Sequence, residues 1–171
     1  MDSTKDLLIK KAYATPSLRQ NIFNKGTIFL YCDYAGYVVQ NEFGVACCIV
    51  YNRTISVTAK KLLIEHDKGS NYGELLAIAY SLELLTKALT KHQPKVAIIF
   101  TDCSSILRIL SKQHFPHHFY ENVRNEILAS LDHLNNMFPE VKVSVKYISK
   151  HKKNNHLHRM AHNEARHVAT K

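Results

Sequence analysis

Apolar residues follow two rhythms along this chain, and the rhythm changes between residues 64 and 71. Before that point they come in compact runs. Thr27 to Cys32 is one, Glu42 to Tyr51 (Phe43 through Val50) a second, and Thr54 to Ile64, rich in β-branched residues, a third. Each has the length and composition of a strand. Tyr34-Ala35-Gly36-Tyr37 opens a turn after the first and Asn52-Arg53 a hairpin after the second, so the three form an antiparallel meander. From Asn71 onward Leu75, Ile78, Leu82, Leu85 and Leu89 recur at helical spacing and stop before Pro94. Val96 to Thr101 is then a fourth strand, apolar on both faces. Ser104 to Gln113 is a short helix, His114 to His118 a loop holding Pro116, and Tyr120 to Phe138 a helix closed by Pro139. Val141, Val143, Val145 and Tyr147 alternate in a fifth strand, and Leu157, Met160, Ala161, Ala165 and Val168 stripe a last helix. The order predicts an α/β protein with a five-stranded mixed sheet, a meander followed by parallel strands, and helices on both faces. Residues 1–26 are expected to form a polar leader with one short helix near Asp6 to Ala14. Residues 27–171 form the single domain.

Composition narrows the class. At 171 residues and 46% hydrophobic the chain can bury a real core. No apolar run approaches the ~20 residues that span a bilayer, and Leu7-Leu8-Ile9 is too short for a signal-peptide core. A soluble, cytoplasmic protein is expected. The four cysteines include no C-x-x-C pair, which indicates neither a zinc site nor a disulfide framework, only small buried apolar groups. The formal net charge is +9 with eleven histidines uncounted. Such a balance points to a polyanionic partner, most simply nucleic acid.

Three acids stand out against this background. Asp33 follows the first strand as Asp102 follows the fourth, and ligands of open α/β sheets gather at the carboxyl ends of strands. Asp102 taken alone would serve equally as a helix cap. Glu74 shares the inward edge of its helix with Ile78 and Leu82, and a buried carboxylate costs several kcal/mol, on the rough scale for buried charges, unless something pairs with it. Asn71 is placed to cap that helix and fix where Glu74 points. If the first and fourth strands are neighbours, Asp33, Asp102 and Glu74 converge, and carboxylates gathered so closely are tolerated chiefly around a cation. Oxygen ligands suit Mg²⁺ or Mn²⁺.

Beside this cluster lies the basic run Lys150-His-Lys-Lys-Asn-Asn-His-Leu-His-Arg159. Lys150, Lys152, Lys153 and Arg159 can neutralise phosphates, and Asn154, Asn155 and Asn71 can contact phosphate or sugar oxygens. His114, His117 and His118 match no zinc spacing and are expected to be a loop near substrate at most.

The motifs Tyr31-Cys-Asp33 with Gly36 after it, Asn71-x-x-Glu74-Leu-x-Ala77, Phe100-Thr-Asp102-x-Ser104, and the tail from Tyr147-Ile148-x-x-His151 to Ala161-His-Asn-Glu-Ala165 resemble those of the ribonuclease H type 1 family and of reverse-transcriptase ribonuclease H domains. The resemblance runs from about Thr27 to Ala169. It implies a ribonuclease H-like fold and metal-dependent hydrolysis of the RNA strand of RNA–DNA hybrids. Two divalent ions roughly 4 Å apart would activate water and stabilise the leaving oxygen. It assigns Asp33, Glu74 and Asp102 to the metals and His151 to proton transfer or product release, while Ser104 is expected, with Asn71, among the residues that contact the nucleic acid. The family's fourth acid falls at His162, with Glu164 the lesser alternative on the opposite flank of the apolar stripe. An imidazole ligand implies a preference for Mn²⁺. Tyr34 stands where the family has a glycine. Two other readings stay open: a catalytically inactive module that binds nucleic acid or protein, and a DNA nuclease or resolvase of the same superfamily.

Overall fold

The computed structural model describes residues 3–64, 68–149 and 153–171. The elements in order are α1 (Ser3–Ala14), α2 (Pro16–Phe23), β1 (Thr27–Tyr37), β2 (Glu42–Tyr51), β3 (Thr54–Leu62), α3 (Ser70–Leu89), β4 (Val96–Thr101), α4 (Ile106–Ser111), α5 (His118–Met137), β5 (Lys142–Tyr147) and α6 (His156–Ala169). The five strands form one mixed sheet in the order β3-β2-β1-β4-β5. The first three pair antiparallel, and β4 and β5 join in parallel. This is the expected fold class, with helices on both faces. Among the described residues, no helix is long and apolar enough to cross a membrane.

The apolar runs of β1 and β4 are continuous because both faces of the sheet are covered. Ile28, Leu30, Cys32, Ala97 and Ile99 point to one face, into a core completed by Leu75, Ile78, Leu82 and Leu85 of α3 and Ile127 of α5. Phe29, Tyr31, Ile98 and Phe100 point to the other, where Leu157, Met160, Ala161 and Ala165 of α6 close a second core. Leu8 and Ala12 of α1 and Leu18 and Ile22 of α2 belong to that second core. The segment expected as a polar leader with one helix is thus a helical pair packed into that core, with Leu8 and Ala12, and Leu18 and Ile22, each one turn apart on the buried side.

A second difference lies in β1. Tyr34 to Tyr37 continue the strand instead of turning, paired with β2 as far as Tyr37↔Glu42. The turn follows Tyr37, with Asn41 in the left-handed region at φ 54°. Asp33 therefore sits within a strand, not at its end. The parallel partner β4 stops sooner, at Thr101, whose hydroxyl accepts from the Cys103 N–H at 3.1 Å and closes the strand. Asp33 and Asp102 each lie two residues past the last paired couple, Tyr31↔Phe100. The sheet opens there into a notch.

α6 lies close over the sheet. A Cβ built on Gly44 of β2 would stand 2.6 Å from the Ala165 carbonyl oxygen and 2.6 Å from Val168 Cγ1. Gly44→Ala should therefore lift the end of α6 and cost about 1–3 kcal/mol, the usual range for overpacking. Thermal unfolding followed by circular dichroism would show it as a lowered Tm, and an unchanged Tm would refute the close approach.

Candidate metal-binding site

Strand alternation aims Asp33 at the α6 face, the same parity as Phe29 and Tyr31. The residue is 3% exposed, and its carboxyl meets two histidines of α6. His162 Nδ1 lies 2.7 Å from Asp33 Oδ2, and His158 Nε2 lies 4.0 Å from Oδ1. The two imidazoles are one helical turn apart and so share a face of α6. Asn155 fixes that turn as the N-cap, its side-chain oxygen accepting from the His158 N–H at 3.0 Å. His158 is buried, while His162 keeps about a third of its side chain (35%) in solvent.

Asp33, Asp102 and His158 each offer a ligand atom, all within 4.8 Å of one another. Glu74 approaches from α3, buried against Asp33, and its Oε2 has no hydrogen-bond partner. Burial, the Asp33 charge, the hydrogen bond it shares with Asp33, and then Asp102 push the Glu74 carboxyl well above the usual carboxylate range. Burial acts on Asp33 the same way. There the His162 hydrogen bond and the charges of His158 and His162 outweigh it and hold the carboxyl below that range. The two carboxyls are thus pushed in opposite directions, Asp33 toward its anion and Glu74 toward keeping its proton. A divalent cation would displace that proton, and the orphaned Oε2 is the kind of oxygen such a cation takes up. The residues present fit a divalent metal.

Of the expected site, the structure brings together Asp33, Glu74 and Asp102, with His162 on Asp33. Sequence reasoning passes over His158, whose signal is a second histidine four residues before His162. Glu164 faces elsewhere, lining a small cavity with Lys5 and Leu8 of α1, so the carboxylate alternative to His162 falls away. Asp102 is not the cap of the following helix. Ser105 occupies the N-cap position of α4, the chain turning through Cys103 and Ser104 first. Asn71 does not cap α3 either: the cap position is Gly69 at φ 93°, and Asn71 Oδ1 lies 3.8 Å from Cys103 Sγ.

The basic residues are partly gathered. Lys153 and Arg159 line a cleft of about 120 Å³ with Asp102, His158 and His162. Asn154 and Ser104 are exposed, and Asn155 is spent on the cap. Lys150, His151 and Lys152 lie outside the described residues. His114 and His117 are exposed, with His117 stacked on Phe119 at 5.2 Å.

Tyr34 is accommodated by a missing side chain. Its ring lies so close to Gly73, the residue before Glu74, that a Cβ there would stand 2.3 Å from two ring carbons. The ring also stacks on Phe43, with centroids 6.3 Å apart. The bulk gained after Asp33 is offset by bulk absent before Glu74, and the two carboxyls stay in reach.

The sheet order and the helices on both faces make a ribonuclease H-like fold, with an acid–histidine cluster at the notch between β1 and β4. Solved structures give the same fold. Ribonuclease H1 of Halobacterium salinarum superposes with a TM-score of 0.61 at 13% identity, over 84% of this chain and 97% of that one. LC11-RNase H1, solved in complex with an RNA/DNA hybrid, gives 0.59 at 15% identity, over 84% and 96%. The N-terminal ribonuclease H domain of a Mycobacterium tuberculosis protein gives 0.57 at 10% identity, over 81% and 98%. No protein-family model matches the sequence, and no curated protein does.

Glu74 has a raised pKa, so its contribution to stability is fully present below the carboxyl's unfolded pKa and is lost as pH rises toward the folded one. In metal-free buffer at neutral pH, Glu74→Gln should raise Tm by about 2–4 °C, the scale of ~1 kcal/mol for a chain of this size. It should also flatten that pH dependence. A lowered Tm would refute the protonated pair. Gly73→Ala should destabilise by about 1–3 kcal/mol, and adding Tyr34→Ala should recover most of it. Additive losses in the double variant would refute the interlock.

Proposed function

We propose that this protein is a metal-dependent nuclease of ribonuclease H type that hydrolyses the RNA strand of RNA–DNA hybrids. One observation carries the reading. A carboxylate buried in a strand has Asp102 and His158 within 4.8 Å and a second carboxyl with an unsatisfied oxygen against it. An unpaired buried charge costs on the order of several kcal/mol in any fold, and a shared cation removes that cost.

Asp33, Asp102, Glu74 and His158 would hold the divalent ions, which when bound would lower the pKa of a water and offset charge on the leaving oxygen. The chain's own groups do the rest. His162 holds Asp33 by the 2.7 Å contact and stands partly in solvent, where it can pass a proton to or from the reacting strand. Asn155 sets the first turn of α6 and so the aim of His158. Lys153 and Arg159 border the cleft and would take the phosphates flanking the scissile bond. Asn71 and Ser104 would meet sugar oxygens, the 2′-hydroxyl being what distinguishes RNA. His151, outside the described residues, would serve as a proton-transfer or product-release group. Imidazole donors favour Mn²⁺ over Mg²⁺.

The 2.7 Å contact between His162 and Asp33 also favours a second reading. A protonated His162 would itself supply the positive charge that a metal supplies, as suits a catalytically silent module that binds nucleic acid.

A cleavage panel separates them. Labelled RNA–DNA hybrid, duplex RNA, duplex DNA and single strands are incubated with Mg²⁺ or Mn²⁺. Cleavage of the hybrid's RNA strand, faster with Mn²⁺, is expected. Asp102→Asn and His158→Ala should each lower it by roughly two orders of magnitude, in line with removal of a metal ligand. Turnover untouched by Asp102→Asn would sink the site. No cleavage with either metal, together with salt-sensitive binding, would establish the silent module.

A further inference from the structure

The segment before β1 packs along α6, the helix that carries His158 and His162. α1 packs along α6 in the opposite direction. Lys5, near its start, shares a small cavity with Met160, Asn163 and Glu164, whereas the charge of Lys11, near its end, bears with that of Arg159 on His156. The end of this helical pair is pinned there. The Asn21 amide of α2 donates to the Tyr31 hydroxyl at 3.0 Å, and the side chain of Asn155, the N-cap of α6, acts on the same hydroxyl. One buried phenol thus ties α2 to the turn that presents His158.

Cations accumulate around that turn. Lys153 and Arg159 line the cleft beside Asp102, and Lys11 continues the series outward across His156 onto α1. Lys11, Lys153 and Arg159 are all exposed. Among the described residues, no ion pair joins any of the three to a carboxylate. Like charges brought together without counter-ions lower stability, and a bound polyanion reverses the sign of that cost.

We propose that α1 carries an accessory nucleic-acid contact. Lys11 extends the basic rim of Arg159 and Lys153, so that a strand cleaved or held at the cluster runs over the N-terminal helices, with Lys11 neutralising a phosphate beyond those nearest the metals. The inference rests on the nucleic-acid reading above and names the part of the partner, its phosphate backbone, that this surface takes. A phosphate contact of this kind carries no sequence information, so the strip adds affinity and register and leaves base preference alone.

The test is equilibrium binding of a labelled RNA–DNA hybrid to the full chain in metal-free buffer, repeated across a salt series. Lys11→Glu is compared with Arg159→Ala and with Lys87→Glu, an exposed lysine in the last turn of α3. Thermal melts confirm that each variant folds. Lys11→Glu is expected to weaken binding about tenfold and to reduce the slope of log affinity against log salt by about one. Lys87→Glu should leave both near wild type. Equal losses in Lys11→Glu and Lys87→Glu would overturn the strip, since bulk charge would then explain the effect. A loss in Arg159→Ala with none in Lys11→Glu would overturn the strip and leave the nucleic-acid reading standing. Wild-type protein that binds no hybrid at any salt would overturn both.

Discussion

A carboxylate set inside a strand has to be balanced by positive charge or by protons, and Asp33 is balanced by both. His162 contacts one oxygen and His158 approaches the other, while Glu74 leans in, its carboxyl pushed toward the protonated form by burial and by the Asp33 charge. Every neighbouring element is arranged to keep these groups there. α6 lies close enough to β2 that Gly44 has no room for a side chain, which sets the height of both histidines. α3 approaches β1 at Gly73, against the Tyr34 ring, which sets the height of Glu74. The two cores thus hold shut a cluster whose charge is balanced within the protein, and a divalent cation would take over part of that balance.

The sheet supplies the opening. β1 runs on to Tyr37 along β2, while β4 ends at Thr101, so Asp33 is left with a strand on one side and a notch on the other. A parallel register carries Asp102 to the same level. A fully paired neighbour would bury Asp33 beyond the reach of any substrate, and an earlier end to β1 would leave it in water, with an ordinary carboxyl. Its unusual electrostatics come from being enclosed by β2, α3 and α6 and open toward the end of β4.

Most of the architecture was legible from periodicity, because strands covered on two faces and helices covered on one leave different rhythms. The three acids were legible too, from their places relative to those elements. What escaped had local causes. Tyr34 to Tyr37 look like a turn because Gly36 is there, yet that glycine serves to let the Tyr34 side chain fold back, its hydroxyl lying 2.6 Å from where a Cβ would be. Asn71 looks like a cap, but Gly69 at φ 93° starts the helix earlier and carries Asn71 into the first turn. His158 was hidden by its neighbour, because a motif compared position by position selects His162 and passes over the histidine one turn before it. The helices before β1 were nearly illegible. Their buried residues Leu8, Ala12, Leu18 and Ile22 alternate with apolar residues left exposed, Leu7 and Phe23, so the pattern does not mark which side meets the sheet.

Those same helices lie outside the sheet, with α1 packed along α6. The segment adds a few apolar contacts to a sheet face that α6 already covers, and exposes Lys10, Lys11 and Arg19 in doing so. Stability alone is a poor reason for such a composition, since a helix pair added for packing would gain from a broader apolar face and neutral flanks. A pair that presents cations along the first turn of α6 has a composition that makes sense if what it meets is negatively charged. The hydrogen bond of Asn21 to Tyr31 then has a use beyond cohesion: it keeps that basic face in register with β1, which carries Asp33.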